Sequence, residues 1–224
     1  GIASGRATTE ELFLFHKLLK QVLGVAWIDI VPNVGEPDGK LLQADRNPNT
    51  AGAQLTGVAT GDLPKILDGI RAGTIKALVL FGEDLVDEDL LKKLELLVVI
   101  DTLPGKATEH AQFVLPGATF AEKRGTFINH QHRIQRLNPA IPSPGIARPE
   151  WQTLAALLNE LQAGGSYLTI EDVFADMART HPVLAGLNLS KIGDLGIDLS
   201  DRFTPTGTDK KSEELRASPV AGAA

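Results

Sequence analysis

The chain reads as α/β, with a doubly wound, mostly parallel sheet under helices on both faces. Three features say so. Short, almost wholly apolar segments recur at Val25–Val31, Ala77–Phe81, Leu96–Ile100 and Gln112–Leu115. Segments with helical three- and four-residue spacing lie between them. Each strand candidate ends at a turn signal rather than running into a hairpin, and strands buried on both faces are expected only in parallel sheets covered by helices.

The first helix spans residues 9–22. Leu12, Phe15, Leu19 and Val22 line one face, Thr8 with Glu11 forms a capping box, and Gly24 stops it. Residues 32–60 are rich in Pro, Gly and Asn and predict turns. Asp62 reads as an N-cap with Pro64 in the first turn, Ile66, Leu67 and Ile70 as the apolar face, and Gly73 as the stop. A short helix with an acidic start covers Asp87–Leu94. Residues 149–163 predict an amphipathic helix, with Trp151, Leu154, Leu157, Leu158 and Leu161 inward and Gly164-Gly165 ending it. Further helical pieces follow at Thr169–Arg179 and around Val183–Leu187. The arrangement is Rossmann-like in 1–148, with C-terminal helices packed on it in 149–200, and a disordered tail is expected over 201–224, where little can be buried.

Composition narrows the function. A chain of 224 residues can bury a proper core, and a net charge of −6 argues against nucleic-acid partners. No apolar run reaches the roughly 18 residues of a membrane helix, so no direct membrane insertion is expected. Cysteine is absent, which excludes thiol nucleophiles and thiolate-held iron–sulfur clusters on this chain.

The segment Val114–Gln135 carries the densest chemistry. Polar and basic residues follow the strand end at Pro116-Gly117, where a loop of an open α/β sheet faces its crevice. Lys123, Arg124, Arg133, Arg136 and Arg148 stand against Glu122 alone. They read either as a docking surface for an anionic ligand or acidic partner, or as a solvated basic loop; Gly125 before Thr126-Phe127 allows close backbone approach. His130 and His132 flank Gln131, but few ligands lie nearby and structural or solvent-facing roles are the expectation. There is no GxGxxG and no GxxxxGK[ST]. In the place of such a loop stands Gly82-Glu83-Asp84, whose carboxylates would repel a pyrophosphate, and Asp84 or Asp87 reads as the cap of the next helix. The acidic pairs Glu10-Glu11, Asp87-Glu88 and Glu171-Asp172 sit at helix starts and suit the dipole; no catalytic residue is indicated.

Several segments in order resemble the molybdopterin oxidoreductase superfamily, and more finely the C-terminal region of the large iron–sulfur subunit of NADH:quinone oxidoreductase (complex I). Gly5–Leu12 is similar to "ATNEEL", Ala44–Ala53 to "ADxNPN…GA", and Thr108–Pro116 to "TExADVVLP". Gly117–Gln135 is similar to "GATFAEKDGTFxNxEGRVQ", and Ala147–Trp151 to "ARPDW". Gly82-Glu83-Asp84 replaces the Gly-x-Asn-Pro phosphate loop of pterin-binding members. The resemblance implies a non-redox structural domain of the complex I peripheral arm, a degenerate pterin scaffold with no cofactor of its own. It places iron–sulfur clusters upstream or in partner subunits, names the other peripheral-arm subunits as partners, and puts the chain on the cytoplasmic (or matrix) side of a membrane complex. The alternative it implies is a fragment of a molybdenum or tungsten pterin-dependent oxidoreductase such as a formate dehydrogenase. Gly82, Glu83, Lys123, Asn129 and Arg133 would then be the cofactor-binding candidates. A free-standing phosphate-binding module is a third reading.

Overall fold

The structure is a computed structural model that describes residues 1–161 and 166–203. The expected stop at Gly164-Gly165 and most of the expected tail lie outside the described residues. Five parallel strands form the main sheet: β1 (Ile2–Ser4), β2 (Asp29–Val31), β3 (Ala77–Phe81), β4 (Leu96–Asp101) and β5 (Phe113–Pro116), in the order β2-β1-β3-β4-β5. Because successive strand side chains point to opposite faces, each buried strand feeds two cores. Ala3, Phe81 and Ile100 join Leu12, Phe15 and Leu154 on one side. Ile2, Leu78, Leu80, Leu97 and Val99 join Ile66, Ile70, Leu90 and Leu91 on the other. That two-sided burial is why these strands read as continuous apolar runs.

The first core is covered by α1 (Thr9–His16), α6 (Glu150–Glu160) and α7 (Ile170–Thr180), the second by α3 (Leu63–Arg71), α4 (Glu88–Leu91) and α5 (Lys106–His110). The capping box at Thr8 and Glu11 forms. The helix it starts widens to π geometry over Lys17–Val22, keeping Leu18 and Leu19 buried, and Gly24 turns it off in the left-handed region at φ +63°.

Several expectations need correction. The N-terminal strand β1 lies inside the sheet between β2 and β3, yet three residues are too few to show a period. The strand expected over Val25–Val31 shrinks to Asp29–Val31, because Trp27 is exposed and Asp29 turns its carboxylate to the Thr60 and Leu63 amides (3.0 and 2.7 Å). Asp29 thereby caps α3, while Asp62 at the N-cap position binds Lys65 instead. A short helix α2 (Thr50–Leu55) interrupts the turn region. On α6, Trp151, Leu154 and Leu158 are buried, but Leu157 and Leu161 are exposed. As the sheet's last strand, β5 leaves Phe113 59% exposed.

The expected loop after β5 folds into an antiparallel hairpin, β6 (Gly125–Ile128) and β7 (Arg133–Leu137), which β8 (Ile197–Asp198) extends to three strands. Between β7 and β8 lies α8 (Leu189–Ile192). The chain stays packed past Asp201: Arg202 donates to the Val183 and Ala185 carbonyls, and Phe203 stacks on His132 with centroids 4.2 Å apart.

Candidate functional site

The strand order reverses between β1 and β3, and in open α/β sheets the ligand crevice opens beyond the carboxyl ends of the strands at that point. Ser4 and Gly82 stand there. Ser4 Oγ donates to Glu83 Oε1 at 2.6 Å and accepts from the Arg6 amide at 3.1 Å and Arg6 Nε at 3.2 Å. Arg6 Nη2 donates to the Gly82 carbonyl at 3.1 Å and approaches Glu83 at 3.5 Å. Gly82 takes φ +66°, and a Cβ there would stand 3.2 Å from Ser4 Cβ. The floor of the crevice is thus a closed ring of short contacts between two strand ends, with the Arg6 guanidinium facing solvent (63% exposed).

Burial raises the Glu83 carboxyl above its ordinary range, with Asp101 adding to the rise, although Ser4 and Arg6 oppose the shift. Asp84 accepts from the Lys106 and Ala107 amides at 3.0 and 2.8 Å, so it caps α5, while Asp87 caps α4. This donor set does not suit a diphosphate. The amides at the α5 start are taken by Asp84, and the carboxylates of Glu83 and Asp101 stand in each other's field with Arg6 as the cation bound there. The acceptors suit hydroxyl or amine hydrogens, as a ribose or a purine edge offers.

The other residues expected at a cofactor lie elsewhere. Asn129 Oδ1 accepts from the Gln131 and Arg133 amides (3.0 and 2.9 Å), closing the β6–β7 turn. Arg133 donates to the Leu195 carbonyl and lies 3.9 Å from Asp198. Lys123 is 5% exposed and far from any surface role. The residues of the docking reading are engaged within the chain. Arg124 pairs with Glu171 at 2.8 Å, Arg136 with Asp194 at 2.6 Å, and Arg148 donates to Thr153 at 3.1 Å. The acidic partners of Arg124 and Arg136 therefore lie in this chain's own C-terminal segment, which the local count of charges could not reveal. His132, at φ +59°, stacks on Phe203, and among the described residues no group of three metal-ligating side chains gathers.

A second constellation was hidden in the helix start. Glu10 and Glu11 are fully buried. Glu10 accepts from the Thr126 amide and hydroxyl at 2.8 and 2.9 Å. Lys123 Nζ donates to Glu11 Oε2 at 3.0 Å and to Glu150 Oε2 at 2.8 Å. Beside them Asn49 donates to the Ala7 carbonyl and accepts from the Ile128 amide, both at 2.8 Å. Burial pushes Glu10 up to about 7, and burial together with the Glu11 charge pushes Glu150 up to about 8. Gly125 makes this joint possible, since a Cβ there would meet Thr8 at 2.6 Å. The signal in the sequence was a dipole-suited acidic pair plus one lysine in a basic loop, and neither points inward by itself.

Two bacterial proteins, each named "Putative formate dehydrogenase", are similar: YrhE of Bacillus subtilis (strain 168), 36% identical over 142 residues (60% of this chain, 14% of that protein), and one from Staphylococcus aureus (strain MRSA252), 32% identical over 167 residues (71% and 17%). The chain spans about a sixth of the length of these curated relatives. Acetylene Hydratase from Pelobacter acetylenicus superposes over 83% of this chain and 24% of its own at 12% identity and a TM-score of 0.46, a likeness too loose to bear on function. Residues 2–160 match the family model described as Molybdopterin oxidoreductase, and the chain belongs to that family.

Proposed function

We propose that this chain is an α/β lobe of a pterin-dependent oxidoreductase of the formate dehydrogenase kind. The observation that carries the proposal is the 36% identity to YrhE over 142 residues, and the relatives' names favour this reading over a structural role in the peripheral arm of NADH:quinone oxidoreductase. The geometry agrees with a lobe that holds part of a nucleotide-bearing cofactor. Its switch-point crevice is built by Ser4, Arg6, Gly82 and Glu83, whose acceptors suit the hydroxyl-rich end and leave the diphosphate to donors outside this crevice. A chain without cysteine supplies no thiolate for a cluster, so iron–sulfur centres in such an enzyme belong upstream or in partner subunits.

The test uses the longest natural polypeptide that contains residues 1–224. It is purified, assayed for formate-dependent reduction of a viologen dye, and analysed for molybdenum, tungsten and oxidised pterin. Formate turnover with metal and pterin near unit occupancy is expected. Neither metal nor pterin, together with a stoichiometric complex with NADH:quinone oxidoreductase subunits in a pull-down, would replace this reading by the structural one.

A further inference from the structure

Lys123 bridges two carboxylates that are all but sealed from water: Glu11 on α1 is 0% exposed, Glu150 on α6 is 3%. If both are ionised, one cation faces two anions in the interior, and an uncompensated buried charge is costly. The hydrogen bonding has the same deficit. Glu11 Oε2 accepts from Lys123 and from the Thr8 amide at 2.8 Å, while Glu11 Oε1, buried as deeply, has no donor at all. Glu11 Oε2 and Glu150 Oε2 sit on the same Lys123 Nζ at 3.0 and 2.8 Å, which brings the two carboxylates together, and a Cβ on Gly117 would stand 2.6 Å from Glu150 Oε1. Two carboxylates placed side by side need a proton between them.

We infer that Glu11 and Glu150 hold one proton between them beside the Lys123 ammonium, so that the trio crosses the α1–α6 joint as a neutral unit and comes apart when that proton is lost. The proton supplies the donor that Glu11 Oε1 lacks, and it lowers the sum of charges from −1 to zero. The other charged groups packed around the trio are already spent. Glu10 on α1 is held by Thr126, Arg124 after Lys123 pairs with Glu171 on α7, and Arg148 before α6 is bound to Thr153. None can neutralise the second carboxylate. The raised affinity of Glu150 for its proton agrees with the geometry.

The pair is therefore a built-in proton site whose occupancy sets how firmly the β6–β7 hairpin and α6 are held to α1. A folded-state carboxyl that binds its proton more tightly than the unfolded chain does contributes stability at low pH and loses it as pH rises. The window here runs from the ordinary carboxyl range up through about 8.

The experiment is carbon-13 NMR of the glutamate carboxyls in the 224-residue chain between pH 5 and 10, on a Glu10→Gln background that removes the other buried carboxyl. One glutamate is expected to titrate near 8. Glu150→Gln should abolish that titration and raise the melting temperature relative to the parent at pH 9 more than at pH 5. Every glutamate titrating below about 6 would overturn the proposal, as would a high titration that survives Glu150→Gln. Should Glu150→Gln not fold, Glu11→Gln removes the other half of the pair. The remaining carboxyl beside Lys123 must then titrate below the parent's value, because burial still raises it but the second carboxylate no longer does, and an unchanged value overturns the proposal.

Discussion

Ser4 Oγ donates to Glu83 Oε1 at 2.6 Å, tying the carboxyl end of β1 to the residue after the left-handed Gly82 beyond β3. The bond joins strands 79 residues apart in sequence at the one place where the sheet reverses its winding. Without the hydroxyl, the half-buried Glu83 keeps only the exposed Arg6 as a partner. Ser4→Ala is expected to destabilise the fold by about 1 kcal/mol, the typical net worth of such a bond. Urea titration monitored by circular dichroism measures it. Ser4→Ala in the long natural polypeptide should also weaken pterin retention, read as pterin per protein after gel filtration.

Lys123→Met removes the cation between Glu11 and Glu150 while keeping its bulk. Breaking a buried pair from one side costs about 3–5 kcal/mol. A loss of that size in chemical denaturation is expected at pH 7, whereas Arg124→Gln, at the half-exposed pair with Glu171, should cost under about 1 kcal/mol. Equal effects from the two would show that Lys123 is not buried as described.

Glu10 is raised to about 7 chiefly by burial, so the folded chain holds its proton more tightly than the unfolded one. Its contribution is complete below the ordinary carboxyl range and disappears as pH climbs through 7. Glu10→Gln should therefore flatten the fall in melting temperature between pH 5 and 8, which differential scanning fluorimetry across that range records. An unchanged slope would mean that Glu10 ionises normally.

Gly196 takes φ +71°, and a Cβ there would stand 2.4 Å from the Ile134 carbonyl oxygen. Gly196→Ala should detach β8 from β7. Gly186→Ala, at φ +76° with open space around it, bears only the left-handed penalty of roughly 1–2 kcal/mol. Hydrogen exchange at Ile134 should speed up in the first variant and stay unchanged in the second, while the Arg133 amide, held by Asn129, serves as the control.

Asp84 accepts two amides of α5 across more than twenty residues. Asp84→Ala is expected to cost about 1 kcal/mol, in the range of an N-cap loss. Asp84→Asn should recover part of this, since its amide oxygen can still accept, and thermal melts of the two variants compare them directly.

The sequence by itself determined the α/β class, the strand Ala77–Phe81, the strand at Leu96–Ile100 (one residue short of the observed end at Asp101), the Thr8–Glu11 capping box, the stops at Gly24 and Gly73, and the family. These are local: apolar runs, caps and glycine turns depend on residues within a few positions of one another, and a motif is read in chain order. Tertiary structure alone decided that Lys123 is buried between Glu11 and Glu150, and that Arg124 and Arg136 spend their charge on Glu171 and Asp194. It also decided that the three-residue Ile2–Ser4 is an interior strand, between β2 and β3. A side chain's charge is visible in the sequence, but its partner and its exposure are set by contacts between distant segments, 112 residues apart for Lys123 and Glu11. Electrostatic energy depends on that separation in space and on the surrounding dielectric, neither of which a linear spacing encodes.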